Sequence, residues 1–228
     1  SSSSFQGSFS ASGGDNVGGL VGWCNGDGSS ITNCTVGTSS AKLNSGIPGG
    51  IGANNFGGIL GAFNSDGTLT LTNCTVEAAY IATKGQYAGG LIAKTNGHSN
   101  ITGCNVNAYT ISCAGGDGDT GGLIGWVEDD ETVIKNCNVT VQNIVGQYNA
   151  GCFIGCYSGD TEKNIISDCA VKIVSITAKN THAGGVMGRT YGHVNITNVT
   201  VGKYPNGNRV PEIISNNQDA GGIVGNID

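Results

Sequence analysis

The sequence predicts an all-β protein, a parallel β-helix or β-solenoid of six to seven repeats with about 30–39 residues in each coil. Three observations carry that expectation. A glycine-framed apolar box recurs at a nearly constant interval. A second box follows it in phase, and one of its positions accepts only Asn, Gly or Asp. The composition, with 41 Gly, 3 Pro and 11% charged residues, offers short Val/Ile/Thr strands and turns rather than helices.

The first box reads Gly18-Gly19-Leu20-Val21-Gly22, Gly57-Gly58-Ile59-Leu60-Gly61 and Gly89-Gly90-Leu91-Ile92-Ala93. It returns as Gly121 to Gly125, Gly151-Cys152-Phe153-Ile154-Gly155, Gly184 to Gly188 and Gly221 to Gly225. The first glycines stand 39, 32, 32, 30, 33 and 37 residues apart. Residues 15–228 are therefore expected to form the solenoid, which continues beyond the last residue or is capped near it. Residues 1–14 are expected to be an N-terminal flank or cap. The opening Ser1-Ser2-Ser3-Ser4 lacks Met and a signal peptide's apolar core, so the chain reads as a mature or excised piece.

The second box begins Ile31-Thr32-Asn33-Cys34-Thr35-Val36 and recurs at 71–76, 101–106, 134–139, 166–171 and 196–201. Its third position is Asn33, Asn73, Gly103, Asn136, Asp168 and Asn198. These residue types enter the left-handed backbone region at least cost. A bend is expected there in every coil, with the side chains stacked in a ladder about 4.8 Å per step. That ladder is expected to hide the amides and so to make Asn-x-Thr acceptor triplets such as Asn33-Cys34-Thr35 and Asn73-Cys74-Thr75 coincidental. A third, looser apolar patch precedes the next glycine box. A β-propeller ranks second, because only Asp27-Gly28 and Asp66-Gly67 offer hairpin turns.

The column after the bend is Cys34, Cys74, Cys104, Cys137, Cys169 and Val199. Valine in the last slot points to a small buried side chain, and free cysteine meets that need. A stacking distance of about 4.8 Å also exceeds the span of a disulfide. A reduced core stack is expected, with Cys24 and Cys113 left open. In the glycine box two adjacent residues are apolar although strand neighbours point to opposite faces. One should fill the interior, and the looser third patch should cover the other.

Candidate sites are few. Nine residues past each first glycine stand Asp27, Asp66, His98, Asp130, Asp160 and His193. Asp66, His98 and Asp130 could hold a cation on one edge, and Ca2+ would suit the acidic loop around Asp130. The competing reading is a solvated turn column, so no cofactor is the primary expectation. Trp23 and Trp126 share one slot after the glycine box and could stack on a sugar ring. Nucleophile elbows, zinc-protease motifs and phosphate loops are absent from the sequence. Formal charge is −6 with 10 scattered basic residues, which argues against nucleic acid. No apolar run approaches the ~20 residues of a membrane span.

The glycine box followed by Asn-Cys-x-Val resembles the GLUG-motif repeat family over roughly residues 15 to 228. Ala93 and Cys152 are the departures, and both are small. The resemblance implies a secreted or surface-exposed bacterial protein and supplies no catalytic residues. The expected function is therefore non-catalytic: adhesion to a host or neighbouring-cell surface protein or glycan, or a rigid display spacer. The alternative is a carbohydrate-binding or polysaccharide-degrading β-helix, which requires a groove with Trp or Tyr and two converging carboxylates.

Overall fold

The computed structural model describes residues 3–11, 14–45, 52–128, 131–159, 164–205 and 210–228. Its secondary structure is strands and turns, and all strand pairings are parallel. The chain is a β-solenoid of about six turns. Coil 3 shows the plan: a short leading strand Tyr87–Gly89, a tight turn, a long middle strand Ile92–Thr102, a bend at Gly103 and a far strand Asn105–Cys113. Seven leading strands form one sheet, from Asn16–Gly18 to Ala220–Gly221, and the other strands form a second, continuous one. The first fourteen residues contribute Ser3–Phe5 and Phe9–Ala11. These pair in register with Cys34–Val36 and Leu43–Ser45, so they supply the far side of a partial coil. Among the described residues no helix is long and apolar enough to cross a membrane.

The glycine box is a sterically forced turn. A Cβ on Gly89 would lie 1.7 Å from the Ile92 carbonyl oxygen, and one on Gly121 1.8 Å from that of Ile124. The second glycine is held from two sides. A Cβ on Gly90 would meet the Gly122 oxygen at 2.0 Å and the Val106 methyls at 2.8 and 3.0 Å. Gly58 meets Val76 and Gly122 meets Val139 in the same way. The two sequence boxes therefore face each other across the core, and the valine of one fits against the missing side chain of the other.

Both apolar residues of each central box are buried: Ile59 and Leu60, Leu91 and Ile92, Leu123 and Ile124, Phe153 and Ile154, Val186 and Met187. They join a single core cluster. The segment seated against the box strand is the leading strand of the preceding coil, which corrects the expectation that the looser third patch does this. A Cβ on Gly125 would touch the Ala88 carbonyl at 2.9 Å, and one on Gly188 the Ala150 nitrogen at 2.7 Å. The third patch instead belongs to the far strands, where Ile81, Ile111, Ile144 and Ile176 point into the core.

The bend column has the expected backbone. Asn33, Asn73, Asn136, Asp168 and Asn198 have φ between 52 and 56°, and Gly103 has 67°. The expected hidden ladder is corrected. Asn33, Asn73, Asn136, Asp168 and Asn198 are exposed on an outer corner. Among the described residues one side-chain bond links neighbours in this column, from Asn198 Nδ2 to Asp168 Oδ1 at 2.8 Å. A residue with φ near +55° turns its side chain outward at this corner, so burial does not shield the acceptor triplets at Asn33 and Asn73. An amide pair forms two residues downstream instead, where Asn138 Nδ2 donates to Asn105 Oδ1 at 2.9 Å.

All nine cysteines carry free thiols, as expected for the stack. The stack also has a polar role that the sequence reading missed. The backbone N–H of Cys74, Cys104 and Cys137 each donates to the sulfur of the next coil's cysteine at 3.4 Å. Each of those sulfurs in turn donates to the carbonyl two residues back, at 3.5 Å for Cys104, 3.2 Å for Cys137 and 3.0 Å for Cys169. Sulfur thus satisfies backbone groups at the inner corner of the bend. Valine at 199 fills the volume but makes neither bond. Cys113 lies outside the stack and donates to Gly85 O at 2.8 Å, and burial pushes its thiol up to about 12.

Candidate functional site

Parallel stacking turns sequence columns into surface rows. The slot after the glycine box becomes the row Trp23, Ala62, Lys94, Trp126, Cys156, Arg189 and Asn226, one residue per coil. The position two before each first glycine becomes a neighbouring row that includes Tyr87 and Asp119. Where these rows run side by side in coils 3 to 6 they frame a cleft of about 660 Å³. Gln86, Asp117, Tyr148 and Asn149 enter it from the leading-strand side, and Ser158 and Tyr191 from the ends of the middle strands.

Aromatic rings form much of the lining. The Tyr87 and Trp126 rings meet edge to face, with centroids 4.6 Å apart and planes at 82°. Trp126 Nε1 donates to Ser158 Oγ at 3.4 Å. Lys94 Nζ sits 5.7 Å from the Trp126 ring centroid and pairs with Glu128. The Arg189 guanidinium lies 4.1 Å over the Tyr191 ring, while its Nε donates to Asp228 Oδ2 at 2.8 Å. Both cations near the cleft therefore already have carboxylate partners.

Asp119 is the unusual group. It is 3% exposed, and its Oδ1 accepts two bonds from Asn149, from the backbone N at 3.0 Å and from Nδ2 at 2.8 Å. Asn149 Oδ1 accepts in turn from Thr181 Oγ1 at 2.8 Å. Burial pushes the Asp119 carboxyl up to about 7, against the two Asn149 bonds and with a smaller upward push from Asp117. Burial also pushes the Tyr87 hydroxyl and the Cys156 thiol upward. The cleft therefore combines apolar rings, a tethered buried acid and neutral hydrogen-bonding groups on a rigid wall.

The structure separates the two tryptophans named from sequence. Trp126 lines the cleft, whereas Trp23 is 51% exposed in coil 1, away from its lining. Of the candidate cation ligands, Asp130 lies outside the described residues. A register shift between Asn96 and His98 pairs His98 with Thr68 rather than with Asp66. His98 Nδ1 faces Glu131 Oε2 at 3.6 Å. Asp66 shares a separate small hollow with Asp27, Asn64, Ser65 and Asn96. Among the described residues no three His, Cys, Asp or Glu side chains are placed to hold a metal ion. Tyr87, Asp119 and Tyr191 were not singled out from sequence. The signal available for the first two was their shared position two residues before a box glycine.

Fold and site together define a parallel β-solenoid with an aromatic cleft on one lateral face. No protein-family model, no curated protein and no solved structure matches the chain.

Proposed function

We propose that this chain is a non-catalytic repeat module of a secreted or cell-surface bacterial protein, working in adhesion by holding a glycan in the lateral cleft. The observation that carries the reading is the cleft itself. Tyr87, Trp126, Tyr148 and Tyr191 line it together with Gln86, Asp117, Asp119, Asn149 and Ser158. Sugar rings present apolar C–H faces and a rim of hydroxyls, and a wall of aromatic and hydrogen-bonding side chains complements both. The rows are held by parallel ladders on both sides, so the geometry is set before a ligand arrives. The resemblance to GLUG-motif repeats supports an extracellular or surface location, and a stiff solenoid also suits display of neighbouring segments.

Holding is favoured over cleaving. Asp117 and Asp119 stand two residues apart in one segment, so both approach a saccharide from one edge, whereas glycoside hydrolysis needs carboxyls flanking the scissile bond. A panel of glycans and host matrix proteins, probed with the purified chain, tests the reading. Saturable binding to at least one glycan class is expected, weakened about tenfold or more, on the order of 1.4 kcal/mol, in Trp126→Ala and Tyr191→Ala. Glycan binding unchanged in both variants, or binding confined to matrix proteins, would sink it.

A further inference from the structure

We propose that the ligand of the cleft carries a cationic amino group, and that its class is an amino sugar with free amines, held between the aromatic rings and the carboxylate of Asp119. The proposal rests on the glycan reading and narrows it.

Four observations point the same way. First, the two oxygens of Asp119 are used unequally. Oδ1 accepts both Asn149 bonds, while Oδ2 accepts no hydrogen bond from the described residues. Oδ2 is not among the fully enclosed polar atoms without a partner, so it keeps access to the cleft, and a donor arriving with positive charge suits a carboxylate whose other oxygen is already tied down. Second, the charge balance of the cleft is negative. Arg189 is bonded to Asp228 and Lys94 to Glu128, and Arg189 acts on Asp119 only weakly and from a distance, so among the described residues no cation is paired with Asp117 or Asp119. Third, the rings already attract cations: Lys94 lies near the face of Trp126 and Arg189 over that of Tyr191. An ammonium between aromatic rings and a carboxylate gains from the ring quadrupole and from the charge together. Fourth, burial has pushed Asp119 up to about 7, so the free cleft holds its acid in a strained balance that a bound ammonium would tip towards the carboxylate.

An uncharged hexose would find the same rings but would leave the acid poorly matched. A uronic acid would be repelled by Asp117 and Asp119. Acetylation of the amine removes the charge and replaces it with an amide, so free and acetylated oligomers of one sugar form the sharpest comparison.

The test is calorimetric titration of the whole chain with equal-length oligomers of glucosamine, N-acetylglucosamine and glucose. A pH of about 7 and roughly 0.3 M salt would suppress diffuse attraction to an acidic protein. Glucosamine oligomers are expected to bind at least about tenfold more tightly than either of the others. Asp119→Asn keeps an oxygen for the Asn149 bonds and is expected to reduce that preference to within about threefold. Asp117→Asn, at an exposed position, gives a second variant, and a smaller loss of preference is expected there. Equal binding of all three oligomers would overturn the amine while leaving the glycan reading intact. A preference unchanged in Asp119→Asn would overturn the proposed role of Asp119. No binding of any oligomer, with none on the wider panel, would remove both.

Discussion

Asp119→Asn is expected to stabilise the protein by roughly 2–4 kcal/mol at about pH 8 and to leave it nearly unchanged at about pH 4. An unfolded aspartate ionises near 3.9, whereas burial moves the folded carboxyl up to about 7. Between those values folding takes up a proton. Stability contributed at this site is therefore fully present below about pH 4, falls as pH rises, and levels off above about 7. Ionising the buried acid costs on the order of 4 kcal/mol, at about 1.4 kcal/mol for each tenfold change in proton affinity. Asparagine has no such cost, and its side-chain oxygen can accept the same two bonds from Asn149. Urea unfolding of the two proteins at both pH values measures the difference. A variant less stable than the parent at pH 8 would contradict the account, as would a gain independent of pH. A stability cost at the mouth of a cleft is the pattern expected of a residue retained for binding.

Gly90→Val should be the more damaging change, destabilising by roughly 3 kcal/mol or more, with loss of cooperative unfolding. Two walls that cannot both retreat face its Cβ. One is the Gly122 carbonyl of the next coil at 2.0 Å, and the other is the Val106 side chain across the core at 2.8 Å. Moving the first opens the ladder between coils 3 and 4, and moving the second unpacks the far strand. Gly116 is the control within the same chain, because a Cβ there meets nothing within 4 Å. Gly116→Ala should stay within about 0.5 kcal/mol of the parent. Thermal and denaturant unfolding distinguish the two, and comparable losses would show that the box glycines are not the steric keys described above.

The repeat was legible because its strongest constraints act on single residues. A backbone at φ near +55° admits few residue types, so Asn33, Asn73, Gly103 and Asp168 mark the bend without any knowledge of neighbours. A Cβ cannot coexist with a carbonyl at 1.7 Å, so Gly89 and its equivalents mark the turn. The cysteine column was half legible. Val199 shows that the slot wants a small apolar group, but nothing in one column shows that Cys104 sulfur receives the Cys74 amide. The leading strands were hidden because Tyr87–Gly89 and Asp119–Gly121 are three residues each, too short for alternation to register. The cleft was hidden for a related reason. Tyr87, Trp126 and Arg189 come from three coils and from two columns with different chemistry in each coil, so no motif runs through them. The acidic turn column is not one structural row, because the shift between Asn96 and His98 breaks a register that equal spacing from the box implies.

The claim most exposed to test is that the cleft beside Trp126 is where a glycan sits. The chain contains two tryptophans, so Trp23→Phe leaves Trp126 as the sole indole reporter. Titrating that variant with the glycan that binds best on the panel should change Trp126 emission saturably, at the same midpoint that calorimetry gives for the parent. Full glycan binding with no change in Trp126 emission would place the ligand elsewhere and contradict the account.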